Sequence, residues 1–392
     1  MRIKKEVRKI VASVLAFLMV VSLIPVNSLM TKANAASKTT FEGGKTVEDG
    51  TWKGWTWNVF GSSTDVTKAF ATDTGNGGVT LEVTGDKGKI NGSASDQGLN
   101  TFLYELDKSY DFTITAQAKV DTLAANAQAA FGLTIRDNVG AHGNTAKLTA
   151  DKNNFAFVGG YGNQAASGHG NAGYKTTALA HTRLGESPEV GGTYDLAIQK
   201  VGDSVKLYFN GEVAAECSAD DLITDNAMYV GLFAARNAKV TFNNVKLAYT
   251  QDSSSVKVTT NVTAPKKTTY CAGNTYEDVD LTGFKATVSV DGKEREITAS
   301  DCVVDMSNDP FAEVTDAGKL NLLYLGQTIE VPITVIKEVV SDMYIEYMPV
   351  KTDYMVTDTA LDFTGLVGKV VYNSGRTFDL KTLIDSNDTN TK

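Results

Sequence analysis

Cysteine and histidine are scarce in this chain of 392 residues, which has three of each. They are Cys217, Cys271, Cys302, His142, His169 and His181. An odd number of thiols leaves at least one unpaired, and neither set has the spacing of a metal site. No histidine lies beside a nucleophile motif, so nothing supports a Ser-His-Asp hydrolase. A disulfide between Cys271 and Cys302 is one possibility, because both residues fall in one predicted domain. Stability must otherwise come from hydrophobic cores.

Long apolar runs are equally scarce, and the one present extends from Ile10 to about Val26. Basic residues precede it, and the small residues of 33–35 follow it. The run is shorter than the roughly 20 residues that a membrane span needs. This pattern predicts a secretory signal peptide over residues 1–35. We therefore expect a secreted, extracellular chain that starts near Ala36 and has no membrane segment after cleavage.

Basic charge is deficient as well. Removing residues 1–35 takes away six basic residues and one acidic residue, which lowers the formal charge from −9 to −14. A polyanionic partner is repelled by such a surface, which argues against nucleic acid and anionic lipid as partners.

Helical periodicity is missing beyond the signal peptide, whereas two-residue alternation is frequent. Residues 112–120 alternate apolar with polar side chains, and similar runs occupy residues 131–136 and 194–198. The run at 205–209 meets Asn210 and Gly211, the strongest hairpin signal in the chain. The sequence therefore predicts an all-β protein.

One motif occurs twice. Residues 280–284 (DLTGF) and 362–366 (DFTGL) each open an alternating strand, and the lead-in of residues 265–270 is matched by residues 349–354. The repeat unit is roughly 80 residues, and the second copy reaches Lys392 only partway through. We therefore expect the chain to be the N-terminal part of a longer modular protein.

These observations predict five segments. They are the signal peptide 1–35, a large sandwich domain 36–250, a polar linker 251–256, a complete smaller domain 257–338 and the start of its second copy 339–392.

The late strands of the large domain carry a resemblance to a known fold. Residues 194–198, 205–211, 230–233 and 240–245 resemble the closing strands of concanavalin A-like, or laminin G-like, jelly rolls. The resemblance implies a jelly-roll sandwich. It also implies glycan binding, because such modules often accompany pectate lyases and other polysaccharide-degrading domains.

The smaller domain resembles bacterial Ig-like domains of group 3. Tyr270, Gly273, the 280–284 motif, the turn at Gly292 and the strand 331–335 carry this resemblance. It implies an Ig-like β-sandwich that serves as a spacer or in adhesion, with no shared catalytic residues.

Glycoside hydrolysis requires two carboxylates on one face. Active jelly-roll glucanases place them as Glu-x-Asp-x-x-Glu, whereas here the run from Glu105 and Asp107 ends in Tyr110. Because this partner is missing, we expect no enzyme within this chain and look for a catalytic domain downstream of it.

Sugar recognition uses aromatic faces and planar polar groups. We therefore predict a ligand-binding face built from Trp55, Trp57, Tyr161, Arg136, Asp137, Asn138, Arg236 and Asn237. Alternation places Arg136 opposite an apolar strand face and so exposes its guanidinium, which would pair with the carboxylates of an acidic polymer. The alternative for Trp55 and Trp57 is a place in the core.

A calcium ion is a further hypothesis. Jelly-roll binding modules often join their terminal strands through an oxygen-ligated ion, and Glu42, Asp49 and Asn243 are the candidate ligands.

The main functional hypothesis is a secreted, monomeric, non-catalytic carbohydrate-binding module with Ig-like spacers. Its ligand would be a polysaccharide, such as an acidic plant glycan, and the full protein would be a pectate lyase-like enzyme or be associated with the cell wall. Two alternatives remain: a surface adhesin or structural protein that binds a protein partner, and a jelly roll that is itself a polysaccharide hydrolase or lyase.

Overall fold

The computed structural model describes residues 39–61, 64–90, 97–125, 128–146, 148, 153–162, 172–175, 179–182, 188–356, 360 and 362–385. The predicted signal peptide of residues 1–35 lies outside these ranges, as does His169. Within them, no helix combines the length and apolar character needed to pass through a bilayer.

Residues 39–250 form two antiparallel sheets that pack face to face, and we call this unit the sandwich. Its strands are β1 (Thr39–Thr40), β2 (Trp55–Phe60), β3 (Ala69–Asp73), β4 (Val79–Val83), β5 (Leu99–Asp107), β6 (Asp111–Leu123), β7 (Ala130–Arg136), β8 (Phe155–Tyr161), β9 (Ala172–Lys175), β10 (Leu179–Thr182), β11 (Thr193–Val201), β12 (Ser204–Phe209), β13 (Glu212–Ser218), β14 (Ala227–Ala235) and β15 (Ala238–Thr250). One short helix, α1 (Ala219–Leu222), follows β13. The eight-stranded sheet has the order β1-β3-β4-β15-β6-β11-β12-β13, and the seven-stranded sheet has the order β10-β9-β8-β7-β14-β5-β2.

The main core lies between these sheets because alternate side chains on each strand are apolar. Ile114 and Phe242 of the eight-stranded sheet and Leu133 and Leu232 of the seven-stranded sheet are fully buried in one cluster. Each such side chain contributes about 1.5–3 kcal/mol through burial. The prediction of an all-β chain with a jelly-roll sandwich is confirmed by this arrangement.

Two tight connections of two residues use a left-handed backbone. Asn210 and Gly211 join β12 to β13 with φ angles of 50° and 84°, as the Asn-Gly pair predicts. Arg236 and Asn237 join β14 to β15 with φ angles of 53° and 42°. The first pair makes a hairpin within the eight-stranded sheet. The second pair carries the chain from the seven-stranded sheet to the eight-stranded sheet.

Residues 257–336 form a second unit with two sheets. Its strands are β16 (Lys257–Thr263), β17 (Thr269–Cys271), β18 (Lys285–Val290), β19 (Lys293–Thr298), β20 (Val303–Asp305), β21 (Thr315–Tyr324) and β22 (Gln327–Ile336). The sheet orders are β16-β18-β19 and β17-β22-β21-β20, and Phe284, Leu322 and Val331 meet in the core between them. Cys271 and Cys302 carry free thiols, so the possible disulfide between them is not formed. Burial, with a smaller effect of Asp301, raises the pKa of Cys302 to about 12.

Residues 340–385 form a third unit with one sheet. It contains β23 (Val340–Tyr347), β24 (Val367–Tyr372), β25 (Thr377–Asp379) and a short helix α2 (Leu380–Asp385).

The two copies of the repeated motif make matching contacts. In the first, Asp280 Oδ1 accepts from the Thr282 amide at 2.9 Å, and the Lys267 ammonium lies 4.6 Å from the ring centre of Tyr270. In the second, Asp362 accepts from the Thr364 amide at 2.9 Å, and Lys351 lies 4.6 Å from the ring centre of Tyr354. Similar sequence thus gives the same local geometry in both copies.

The segment 251–256, predicted as a polar linker, makes hydrogen bonds together with the residue before it. Thr250 is fully buried and donates to Asp291 Oδ1 at 2.7 Å. The side-chain amide of Gln327 donates to the Ser253 carbonyl at 2.9 Å, and Asp252 Oδ1 accepts from the Ser254 amide at 2.9 Å. These contacts tie the sandwich to the second unit.

The outer face of the eight-stranded sheet packs against the second unit. Thr115 Oγ1 donates to the Ser300 carbonyl at 2.6 Å, and Thr113 Oγ1 accepts from the Leu325 amide at 3.1 Å. Tyr208 packs with Val303 in a small apolar cluster nearby. Contact of this kind leaves a cleft between the two units where their surfaces diverge.

Candidate functional site

Arg136 is buried, which contradicts the prediction that its guanidinium is exposed. Alternation does place it on the outer face of the seven-stranded sheet. That face, however, carries its own apolar cluster, in which Phe60 and Phe155 take part. The guanidinium carbon lies 5.6 Å from the ring centre of Phe60 and 5.1 Å from that of Phe155, and Arg136 is 0% exposed.

The hydrogen bonds of Arg136 are those of a structural residue. Nη2 donates to Gln97 Oε1 and Asn153 Oδ1, each at 2.8 Å, and Nε donates to the Asn138 carbonyl at 3.2 Å. Nη1 has no hydrogen-bond partner among the described residues. Burial lowers the pKa of Arg136 to about 10, and the charge of Asp137 opposes that shift. Asp137 is itself buried and accepts from the Asn154 amide at 3.0 Å.

Arg236 and Asn237 lie at the opposite end of the seven-stranded sheet from Arg136. Antiparallel pairing places Arg136 opposite Tyr229, whereas Ala235 at the other end of β14 is opposite Ala130. Six residues of extended strand separate the two ends by about 20 Å. Arg236 donates from Nε to the Gly88 carbonyl at 3.1 Å. The predicted pair of arginine-bearing strand ends is therefore not a single site.

Trp55 and Trp57 do not belong to an exposed ligand-binding face, because both lie in the sandwich core. They are 5% and 7% exposed. Trp57 Nε1 donates to Asn100 Oδ1 at 2.7 Å, and Trp55 stacks on Phe102 at 5.2 Å between ring centres. Tyr161 is half-buried against Phe157, and burial raises its pKa. The core alternative for the two tryptophans is the right one.

The three proposed calcium ligands do not converge. Glu42 follows β1 and forms an exposed ion pair with Lys45 at 2.6 Å, whereas Asn243 lies in β15. Strands β3 and β4 lie between β1 and β15, a separation of about 14 Å. Asp49 is an exposed residue before the turn of Gly50–Trp52. One ion cannot bind all three, and the described residues contain no cluster of three or more His, Cys, Asp or Glu suited to a metal.

The structure instead places a cleft of about 1020 Å³ between the sandwich and the second unit. We call it the interunit cleft. On the sandwich side its lining comes from β6, β11 and the β12–β13 hairpin. On the other side it comes from the segment 276–281, the turn Ala299–Asp301 and β20. A space of this size lies at the upper end of ordinary ligand pockets.

Apolar contacts form the floor of the cleft and hold its two sides together. Tyr208 is 2% exposed, and burial raises its pKa to about 12, with further effects of Asp305 and Glu216. The Asn210-Gly211 turn reaches the opposite side, where a Cβ on Gly211 would lie 2.5 Å from Met306 Sδ. The β12–β13 hairpin, which the sequence predicts, therefore forms part of one wall of the interunit cleft, which the sequence does not predict.

Aromatic side chains stand on both walls. Tyr194 packs against Phe209 with 5.3 Å between ring centres, and its hydroxyl accepts from the Glu189 amide at 2.9 Å. On the other wall the Tyr276 hydroxyl lies 2.9 Å from the Asp305 carbonyl. Burial raises the pKa of Tyr276 to about 12, and Asp305 and Asp309 add to the shift. Fixed tyrosine rings beside polar groups are the composition that sugar recognition uses.

The polar lining is rich in carboxylates and amides. Carboxylates come from Glu189, Asp195, Glu212 and Glu277, and amides from Gln117, Asn210 and Asn244. Gln117 Nε2 donates to Asp195 Oδ1 at 3.2 Å, and Asn210 Oδ1 accepts from the Asp195 amide at 2.9 Å. None of the described residues that line the cleft is lysine, arginine or histidine. The cleft therefore presents hydrogen-bonding groups in a negative field.

Sequence analysis missed this site because its walls are far apart in the chain. Thr115 and Ser300 are 185 positions apart, and nothing in either segment indicates that they meet. The one local signal is the Asn210-Gly211 turn, which predicts a hairpin but not what the hairpin faces.

Fold and site together define an all-β protein with a jelly-roll sandwich and a cleft suited to a polar ligand. Among solved structures, the chain is similar to the carbohydrate-binding module CBM66 from Bacillus subtilis, at 16% identity and a TM-score of 0.27, covering 55% of this chain and 96% of that one. It is also similar to lectin II from Ulex europaeus, at 11% identity and a TM-score of 0.33, covering 54% and 97%. The alginate lyase AlgAT5 of Polysaccharide Lyase family 7 is similar at 13% identity and a TM-score of 0.29, covering 46% and 82%. TM-scores this low transfer neither ligand nor activity.

A curated relative gives a stronger similarity. Pectate lyase L from Thermoclostridium stercorarium is 29% identical over 327 residues, which is 82% of this chain and 24% of that protein. The chain thus spans about a quarter of the length of this relative. No family model matches the chain. The similarity contradicts the prediction that this chain is not an enzyme, because most of it aligns with a protein named as a lyase.

Proposed function

We propose that this chain acts on pectin-type polysaccharide as part of a polysaccharide lyase, and that the interunit cleft holds the polymer. The observation that carries the proposal is the 29% identity to Pectate lyase L, which extends over 82% of the chain. An alignment of that extent involves both the sandwich and the second unit, the two sides of the cleft.

The chemistry of the cleft supports a sugar ligand. Its tyrosine rings offer apolar faces, and the amides of Gln117, Asn210 and Asn244 offer both donors and acceptors for hydroxyl groups. A volume of about 1020 Å³ is large enough for several sugar rings. Secretion, as the signal peptide predicts, would bring the chain to polysaccharide outside the cell.

The test uses the chain from Ala36 to Lys392. It is incubated with pectin and with polygalacturonate, and the unsaturated ends that a lyase leaves are followed by ultraviolet absorbance. Retention of the protein is measured in parallel in native gels that contain each polymer. We expect retention by pectin together with a rise in absorbance. Retention without a rise in absorbance would confine the role of this chain to holding the polymer. The absence of both retention and absorbance change would contradict the proposal.

A further inference from the structure

Strand β6 carries one polar face from the contact with the second unit, through the interunit cleft, to open surface. Thr115 donates to a backbone carbonyl of the second unit, Gln117 lines the cleft, and Lys119 follows two residues later and is exposed. Side chains two residues apart on a strand point to the same face of the sheet. Lys119 therefore stands at the margin of the cleft, on the face that forms its floor.

The neighbours of Lys119 leave its ammonium accessible. Thr193 of β11 and Thr241 of β15 are opposite it on the two adjacent strands, and Thr193 lines the cleft. The ammonium lies 3.9 Å from Asp121 Oδ1, which is longer than a hydrogen bond. The other carboxylate oxygen, Asp121 Oδ2, accepts from the Thr241 hydroxyl at 2.6 Å. Asp121 thus leaves the donors of Lys119 available to a further carboxylate.

A bulge in β15 brings a second lysine to the same face. The pairing of β15 with β6 gains one extra residue between Asn243 and Lys246. Asn244, within the bulge, has a φ of 50° and lines the cleft, which is the kind of re-aimed side chain that bulges produce. Lys246 is opposite Thr115, so it shares the outward face of Thr115, and it is exposed.

The two lysines flank the amides of the cleft. Lys246 pairs with Thr115, and Lys119 lies four residues further along β6, so their α-carbons are about 14 Å apart. Gln117 and Asn244, which line the cleft, lie between them. Two different sugar units of one polymer chain would therefore meet the two lysines.

We infer that Lys119 and Lys246 bind carboxylates of the polymer at the margins of the interunit cleft and so favour its free-acid form. The inference rests on the proposed function and names the residues that set which form of the polymer the same site takes. An ammonium pairs with a uronate carboxylate through its charge and its three donors, whereas a methyl ester offers no charge to pair with. A uronate held in this way leaves its hydroxyls for the amides and carboxylates that line the cleft.

The experiment compares two forms of one polymer. Polygalacturonate and the same preparation after methyl esterification are cast in native gels, and retention of residues 36–392 is measured without added divalent cations. Physiological salt is used because the net charge of the chain repels a polyanion at long range, and a Debye length of about 8 Å screens that repulsion. The measured quantity is the ratio of retention by the free acid to retention by the ester.

Two double variants locate the effect. Lys119→Gln with Lys246→Gln removes the two cations at the margins of the cleft. Lys53→Gln with Lys257→Gln removes two exposed lysines that do not line the cleft, one in the turn before β2 and one in β16. Both variants change the net charge equally, so a difference between them reports the position of the charge.

We expect the ratio to be about threefold to tenfold lower in the Lys119/Lys246 variant than in the control variant, as the loss of two exposed ion pairs predicts. Retention by the ester should be unchanged in both. Lys119→Arg with Lys246→Arg keeps both charges and should retain the ratio of the wild type. Melting temperatures near that of the wild type would show that the variants fold.

Two results would overturn the inference and leave the proposed function intact. One is an equal ratio in the glutamine variant and its control, and the other is an equal loss of retention by the free acid and the ester. Failure of the wild type to be retained by either polymer would instead overturn the proposed function.

Discussion

Thr115 of the sandwich donates its hydroxyl proton to the backbone carbonyl of Ser300 in the second unit, at 2.6 Å. Thr115 is 7% exposed, so the bond is shielded from water. It lies where the two units meet, next to the interunit cleft, and both residues line that cleft. The second unit thus buries part of the polar face that alternation gives to β6.

Replacing Thr115 by valine keeps its shape and removes the donor. We expect Thr115→Val to lower the free energy of unfolding by about 1–2 kcal/mol, because the Ser300 carbonyl loses its partner in a buried place. Chemical denaturation measures the change. Thr122→Val is the matched control, since Thr122 is exposed in the same strand. Equal effects of the two substitutions would show that the hydrogen bond does not hold the units together.

Arg136 is predicted to be a stability residue. Arg136→Met removes the donors to Gln97 and Asn153 and leaves their side-chain oxygens buried, so we expect a loss of about 2–4 kcal/mol. Arg136→Lys keeps a charge but not the fork of donors, and should lose nearly as much. Urea unfolding measures both. A free energy of unfolding that is unchanged in Arg136→Met would contradict the structural role and restore the exposed, ligand-facing one.

The turn at Gly211 combines backbone strain with a close contact. Its φ is 84°, and a Cβ would lie 2.5 Å from Met306 Sδ, so we expect Gly211→Ala to cost about 1 kcal/mol or more. Gly202→Ala is the control for strain alone, because Gly202 has a φ of 56° and nothing within 4 Å of such a Cβ. In a double-mutant cycle, Met306→Ala should recover part of the loss at Gly211 and none at Gly202. Equal behaviour at the two glycines would show that the hairpin does not press on the second unit.

His142 should make the sandwich sensitive to acid. Its Nδ1 accepts from the Val59 amide at 3.2 Å, and burial lowers its pKa below the ordinary value of 6.5. The unfolded chain therefore takes up this proton at a higher pH than the folded chain does. The resulting stability is complete above 6.5 and is lost as the pH falls through the lower folded pKa.

We expect the melting temperature of the wild type to fall more steeply than that of His142→Asn as the pH decreases from about 7 to 5. Thermal unfolding followed by circular dichroism at several pH values gives both profiles. Parallel dependence of the two melting temperatures on pH would show that His142 does not cause the acid sensitivity.

Much of the fold follows from local sequence. Alternation at residues 112–120 predicts β6, and Asn210-Gly211 predicts the β12–β13 hairpin, because both patterns act through backbone geometry and neighbouring residues. The repeated 280–284 and 362–366 motifs predict a recurring turn for the same reason, and Asp280 and Asp362 accept equivalent hydrogen bonds.

The errors arise where a face is covered by distant parts of the chain. Alternation tells which side of β7 Arg136 occupies, but the apolar cluster around Phe155 and Phe233 decides that this side is buried. Thr113 and Thr115 look like solvent-facing residues until the second unit covers them. The interunit cleft depends on the same long-range packing, so neither its walls nor its charge could be predicted from the sequence.

The most direct test of the account is to fill the interunit cleft. Thr193 is an exposed residue at the start of β11 that lines the cleft, whereas Thr122 is exposed on β6 and does not line it. We would measure retention of the wild type, Thr193→Trp and Thr122→Trp in native gels containing pectin, with melting temperatures as the check on folding. The account predicts at least tenfold weaker retention for Thr193→Trp and unchanged retention for Thr122→Trp. Unchanged retention of a folded Thr193→Trp protein would contradict the assignment of the polymer to this cleft.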